Sequence, residues 1–321
     1  MRPAGVVPPG YRRYKDRMSD ASSLTTGARS AATERAALVA LLTGALAIAF
    51  APIFVRLSEL GPSATAFWRL GFAIPALWLW MALEAKGTNR PRRPSSLSDY
   101  ARLTAAGLFF AGDLAIWHWS IRYTSVANST LLANFAPIFV TVVSWLVFKE
   151  RFSRTFLTGL ALALCGAVVL MGQSLKLSPE HLFGDALGLL TAVFYGGYIL
   201  AVGRLRAEFS TATIMTWSGV VTGLALLPIA LLSGESLIAG SAGGWAVLLG
   251  LALVSHAGGQ SLIAYALAHL PAAFSSVSLL LQPAAAAILA WALLAEPLGA
   301  LQAVGGAVVL AGILMARRGS R

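Results

Sequence analysis

Asp113 stands in the middle of an otherwise apolar run from Gly107 to Arg122. A carboxylate at the centre of a membrane-spanning helix costs about 3 kcal/mol or more, so it calls for a use. Trp117, Ser120 and Thr124 follow it at i+4, i+7 and i+11, which on a helix makes one polar and aromatic face. Such a carboxyl can exchange a proton or stay charged opposite a substrate ammonium group; the alternative is a hydrogen bond that only pins helices. His256, with Gln260 at i+4, sits at a similar depth in a later run and is open to the same two readings. Asn134 and Gln282 flank Pro137 and Pro283 in the middle of two further runs. They can bind a substrate or satisfy the carbonyls that the prolines release. Tyr195, Tyr198 and Trp117 are candidates for the wall of an aromatic pocket, whereas His118 and Trp119 read as interfacial. Arg69 reads either as an outer anchor that snorkels to the interface or as a substrate clamp.

Other chemistry is missing from the sequence. It contains no P-loop, no GxGxxG after a strand, no HExxH, no cysteine cluster and no GxSxG elbow. Neither a resident cofactor nor a metal is expected, and ATP bound by this chain is excluded as the energy source. The lone Cys165 reads as a small apolar filler.

The elements that must position these residues are membrane helices. Of the 321 residues, 57% are hydrophobic and 12% charged, and the mean hydropathy is +0.74. That is too apolar for a soluble domain. Ten apolar blocks of about twenty residues, the length that crosses roughly 30 Å of hydrocarbon, fall near 36–57, 63–84, 101–121, 126–148, 155–172, 184–203, 211–232, 244–266, 272–294 and 300–316. The net charge of +11 could suggest nucleic acid, but its distribution argues against such a partner. With a cytoplasmic N-terminus, all basic residues except Arg56, Arg69, Arg122 and Lys176 fall on the cytoplasmic side. Positive charge inside thus orients the chain with both termini in the cytoplasm. Residues 1–35 are expected to form a disordered tail and 317–321 a short second one; Met18 is a candidate alternative start. The first apolar run is read as structural rather than as a signal peptide, because Gly44 and Phe50 match Gly188 and Phe194.

That match is part of a duplication. At an offset of 146, Ala111-Gly112 maps to Ala257-Gly258, Ala127 to Ala273, Ser129 to Ser275, Pro137 to Pro283, Trp145 to Trp291 and Glu150 to Glu296. Gly159 and Gly166 map likewise to Gly305 and Gly312. Five spans per half is odd, so the second half enters the membrane inverted. Consistent with this, basic Lys149-Glu150-Arg151 becomes Ala295-Glu296-Pro297. The expected units are 36–172 and 184–316. Pro52, Pro137 and Pro283 weaken spans one, four and nine, and Gly196-Gly197 stands where Pro52 has its counterpart. These four sites, Pro52, Pro137, Gly196 and Pro283, are the expected hinges around a central site. Small residues every fourth position, Gly159, Ala163 and Ala167, then Gly184, Gly188, Ala192 and Gly196, are expected to let helices approach closely.

Arg69-Leu70-Gly71-Phe72-Ala73, the aromatic end of span three, Pro137 with Lys149-Glu150-Arg151, and Pro283 with Ala295-Glu296-Pro297 carry a resemblance. Over 36–316 the chain resembles EamA-type members of the drug/metabolite transporter superfamily. The resemblance implies an all-α membrane protein of two inverted five-helix repeats, with the early helices of both halves lining a central cavity. It also implies transport of amino acids or other small metabolites across the inner membrane, with export favoured over uptake. These motifs are architectural and transfer no substrate, and Asp113 lies outside them. A membrane enzyme or a non-transporting scaffold is the reading from another class. A small-molecule substrate, the bilayer and a second copy of the chain are the candidate partners.

Overall fold

Helix breaks and glycine seams, rather than helix count, shape the space inside this protein. The computed structural model describes residues 31–87, 91–124, 126–171, 179–295 and 298–320. Ten helical segments follow in order: α1 Ala31–Leu57, α2 Pro62–Glu84, α3 Leu97–Tyr123, and α4 as Val126–Ala133 plus Ala136–Leu146. The rest are α5 Arg154–Met171, α6 Leu182–Leu205, α7 Thr211–Leu232, α8 Ala242–Ala266, α9 as Ala272–Ser278 plus Leu281–Leu294, and α10 Ala300–Gly319. Among the described residues no strand is present, and nine helices are long and apolar enough to cross a membrane. The tenth, α3, falls short because it carries Asp113, His118 and Ser120 besides its charged ends.

Local chemistry starts the helices. Ser96 accepts from the Asp99 amide at 3.1 Å, and the Asp99 carboxylate accepts from the Ser96 amide, a reciprocal cap for α3. Ser210 and Ser241 cap α7 and α8 one way only, accepting from the Thr213 and Gly244 amides, and Pro62 opens α2 where its missing N–H costs nothing.

The helix pairings repeat between halves. Helices α2 and α7 pack together, as do α5 and α10; α3 packs on α6 and α7, and α2 on α8. Exchanging each helix for its repeat partner turns α3–α7 into α8–α2 and leaves α2–α7 and α5–α10 unchanged. Two backbone details repeat as well. Lys149 (φ 59°) and Ala295 (φ 53°), 146 positions apart, are both left-handed residues that end the proline-containing helices. The Glu296-Pro297 part of the repeat lies outside the described residues, as do Lys176, Ser125, Arg90 and the tail through 30.

Glycines act as expected in the seams. Along antiparallel α5 and α10, Gly159 faces Gly312 and Ala316, Gly166 faces Gly305 and Val309, and Gly312 faces Ala163, all with backbone in contact. Gly184 and Gly188 let α6 meet Tyr123, Thr124 and Ser129. Trp145 and Trp291, another repeat pair, both point outward near helix ends, and Cys165 is exposed on α5.

At one end the bundle is tightly packed. Leu41, Leu77, Leu103, Met215, Ala266 and Val277 are fully or nearly fully buried there. Arg92 and Arg102 bind Asp99 at 2.9 and 2.8 Å, and both also bind Glu208 in the α6–α7 loop. Arg92 lies 4.6 Å over the Phe209 ring. Hydrogen bonding from Arg102 holds the Glu208 carboxyl below its ordinary value. A depressed value means that this contribution is complete above the ordinary glutamate range and is lost as pH falls through the folded value. The thermal midpoints of wild type and Glu208→Gln should therefore differ near neutrality and converge only as the pH falls below about 4. An equal gap at both pH values would show that the carboxylate's charge is not what holds the loop.

Candidate functional site

The helices that break are those around the cavity. α1 is interrupted at Phe50, and Pro52 sits in the first turn of the segment Ala51–Leu57. α4 breaks at Asn134–Phe135, just ahead of Pro137, and α9 breaks at Leu279–Leu280, just ahead of Pro283. A proline cannot donate to the carbonyl four residues back and crowds it, so each helix restarts there. α6 behaves differently: it runs unbroken through Gly196, which packs on the Phe139 ring, while Gly197 packs on Phe109. Gly196, expected as a hinge, therefore lies in a continuous helix in this structure, unlike the three prolines. Glycine alone lowers helix propensity by only about 1 kcal/mol, too little to interrupt a packed span.

A cavity of about 750 Å³ runs from the middle of the bundle to the end that carries the 58–61 and 233–241 loops. Its walls are mostly apolar, including Ile48, Ile53, Leu114, Ile121, Leu251 and Ala286. Of the sequence-predicted residues, Asp113, Trp117, Asn134, Tyr195, Gln260, Gln282, Pro52 and Pro283 line it. Asn134 donates to the Thr130 carbonyl at 2.8 Å, so its amide nitrogen supports the end of the first α4 segment. Tyr195, Gln260 and Gln282 are the cavity's polar floor, with the Gln282 Nε2 buried and without a partner.

Three predicted residues lie behind that wall. Tyr198 is buried, its ring 4.7 Å from Phe110, with its hydroxyl on Met215 Sδ at 3.5 Å. His256 lies 5.3 Å from the same Phe110 ring, tilted by 31°, and has neither ring nitrogen paired. It sits in a π-helical stretch of α8, Leu251–Gln260, which the apolar periodicity did not announce. Pro137 is buried behind the cavity rather than in its lining. The face assigned to α3 also divides. Asp113 and Trp117 reach the cavity, while Ser120 donates to the Gly184 carbonyl at 2.7 Å and Thr124 to Asp185 at 2.6 Å. The glycine at 184 brings the start of α6 over the outer half of α3, so equal angular position there means helix contact, not cavity.

One residue was placed elsewhere by the sequence, and another was left between two readings. His118, expected at the interface, is buried at 4% exposure, donates from Nδ1 to the Leu114 carbonyl, and is one of the residues around the cavity, its Nε2 buried without a partner. Its neighbour Trp119 is exposed, as expected of an interfacial residue. Arg69 points inward: it lines the cavity, its Cζ is 5.9 Å from the Phe110 ring centroid, and its Nε is buried without a partner. Arg69 and Asp113 feel one another's charge. The available signal was its position about two turns into an otherwise apolar stretch, which a snorkelling anchor shares.

Straightening the broken spans should alter exchange between conformers without unfolding the protein. Pro137→Ala and Pro283→Ala each restore a backbone hydrogen bond. A several-fold change in flux is expected with unchanged thermal stability; unchanged flux in both would leave the prolines as packing features.

Comparison with known proteins gives this architecture a relationship. The model of the EamA-like transporter family matches twice, at residues 35–172 and 182–318. An uncharacterised transporter of Archaeoglobus fulgidus is 25% identical over 282 residues, covering 87% of this chain and 95% of the relative. A probable terminal-alkyne amino-acid exporter of Streptantibioticus cattleyicolor is 31% identical over 275 residues, covering 85% and 89%. A pseudopaline exporter of Pseudomonas aeruginosa is 25% identical over 238 residues, covering 74% and 80%. A solved crystal structure shares the fold with a TM-score of 0.74 at 16% identity, over 90% of this chain and 99% of that one. With both halves matched by one family model and a multi-pass helical bundle around a polar-floored cavity, this chain belongs to the EamA-like transporter family.

Proposed function

We propose that the protein is a secondary transporter that exports a small amphipathic metabolite, amino-acid-like in character, across the inner membrane by alternating access. The observation that carries this reading is the cavity itself. It is open from mid-bundle to one end and closed by packed side chains at the other, with broken helices α1, α4 and α9 beside it. One end open and one end shut is a single state of an alternating-access cycle, and broken spans are where such bundles bend. Exporters among the relatives support the outward direction. Asp113 is the carboxylate that binds substrate or proton, and His256 forms a second polar position that becomes reachable when the floor moves.

The basic residues of the closed end, Arg92, Arg102, Arg204, Arg206 and Arg317, make that end cytoplasmic by the positive-inside rule, with both termini inside. In a Cys165→Ser background, cysteines at Ser125 and Ala268 should label from opposite sides of the membrane; labelling from one side would overturn the inverted arrangement. Function is tested in proteoliposomes with a panel of amino acids and related metabolites, with and without a pH gradient. Saturable flux of a panel member is expected. Inward flux alone in right-side-out vesicles would make the protein an uptake permease, and no flux across the panel would favour a scaffold.

A further inference from the structure

The geometry points to Arg69 as the anchor for a carboxylate of the transported molecule, with Asp113 taking an ammonium group on the same molecule. This rests on the transport reading above and names the recognition chemistry inside its cavity. Three observations support it independently of the relatives.

Arg69 is a guanidinium in the middle of a membrane bundle, facing the cavity, with Nε buried and lacking any hydrogen-bond partner. Five N–H donors in a rigid fork suit a carboxylate, and a buried cation without an anion is costly. Asp113 is the one carboxylate among the described lining residues, and it is near enough to Arg69 for their charges to interact. Yet the two do not close into a salt bridge, so neither neutralises the other by contact. Phe110 holds them in register: Arg69 lies over its ring, and Asp113 follows one turn later on the same face of α3. A cation and an anion held apart in an apolar cavity match an α-amino acid, whose ammonium and carboxylate groups are of opposite sign and bonded to one shared carbon. The apolar walls of Leu114, Ile121 and Ala286 then receive its side chain. An isolated amine would leave Arg69 unmatched and bring a second cation beside it.

The pattern predicts an order among ligands of one shape. L-leucine carries both charges, 4-methylpentanoate only the carboxylate, and isoamylamine only the ammonium. Binding to purified wild-type protein in lipid nanodiscs, read by tryptophan fluorescence and by thermal shift, should fall in that order, with isoamylamine weakest. Arg69→Gln should weaken L-leucine and 4-methylpentanoate by about tenfold or more, the scale of one charge-assisted bidentate contact, and should not weaken isoamylamine, which loses a like-charged neighbour. Arg69→Lys, which keeps the charge without the fork, should recover part of the loss. Asp113→Asn should bring L-leucine and 4-methylpentanoate to similar affinity, because L-leucine loses the partner of its ammonium group while 4-methylpentanoate loses a like-charged neighbour.

The wild-type series needs no variant, so a misfolded Arg69→Gln protein would not rescue the idea. Isoamylamine binding as tightly as L-leucine overturns it, as does absence of binding by either carboxylate. Wild-type affinities in a folded Arg69→Gln protein overturn it too. The transport reading fails separately: ordered binding with no flux in proteoliposomes would sink transport and leave the site standing.

Discussion

Asparagine at position 113 should yield a folded, membrane-inserted protein whose transport is lost, a fall of at least about tenfold in rate. The substitution keeps the size of the side chain and most of its hydrogen-bonding capacity, and removes only the ionisable charge. Asp113 lines the cavity on α3, one turn from Phe110 and within the field of Arg69. If it binds a substrate cation or carries a proton, either use ends with the carboxyl; a tenfold loss corresponds to about 1.4 kcal/mol, well within the worth of one charged contact. Flux in proteoliposomes made from monodisperse protein is the measurement. Wild-type flux with a wild-type pH profile would reduce Asp113 to a helix pin. His256→Gln should be milder, because His256 lies behind Phe110 and neutral imidazole already resembles an amide.

The second large effect is structural. Gly312→Ala should destabilise the protein by about 1–3 kcal/mol, the usual penalty for overpacking, and Gly312→Leu should prevent folding. A Cβ at this glycine would stand 2.7 Å from the Ala163 Cα, in the seam where α5 and α10 touch backbone to backbone. Neither helix can withdraw without breaking the neighbouring contacts at Gly159 and Gly166. Gly306 is the control on the same helix. A Cβ there meets only Leu170 Cδ1 at 3.7 Å and Ala284 Cβ at 3.8 Å, ordinary contacts. Gly306→Ala should therefore be neutral or stabilising by up to roughly 1 kcal/mol through helix propensity. Thermal unfolding in detergent compares the two. Equal midpoints for both alanine variants would show that the seam is looser than its contacts imply.

These two predictions differ in how far the residues disclosed them. The seam was legible: Gly159, Ala163 and Ala167 recur at helical spacing, and in lipid small residues mark close approach regardless of what lies elsewhere in the chain. The duplication was legible for a similar reason, since residues with strong backbone preferences, Pro137 and Pro283 above all, keep their positions in both halves. The structure adds a repeat that residue identity conceals, the left-handed pair Lys149 and Ala295. Neither residue favours that conformation, so only the packed ends of α4 and α9 impose it.

What the chain determines by itself is therefore the membrane class, the spans, the internal repeat and the breaks at Pro52, Pro137 and Pro283. Each follows from hydropathy over one helix length or from the backbone chemistry of one residue. Gly196 marks the limit of that logic, because a modest propensity penalty yields to Phe139 packed against it. The site itself was decided by tertiary structure. Asp113 could be singled out from α3 alone, but its neighbours could not. Arg69 comes from α2, Tyr195 from α6, Gln260 from a π-helical turn of α8 and Gln282 from α9. Whether Arg69 snorkels outward or faces Asp113 depends on which side of α2 meets α7 and α8. Local sequence cannot encode that choice, because an arginine on a span has the same reach in either direction, and only the neighbouring helices determine which direction contains the cavity.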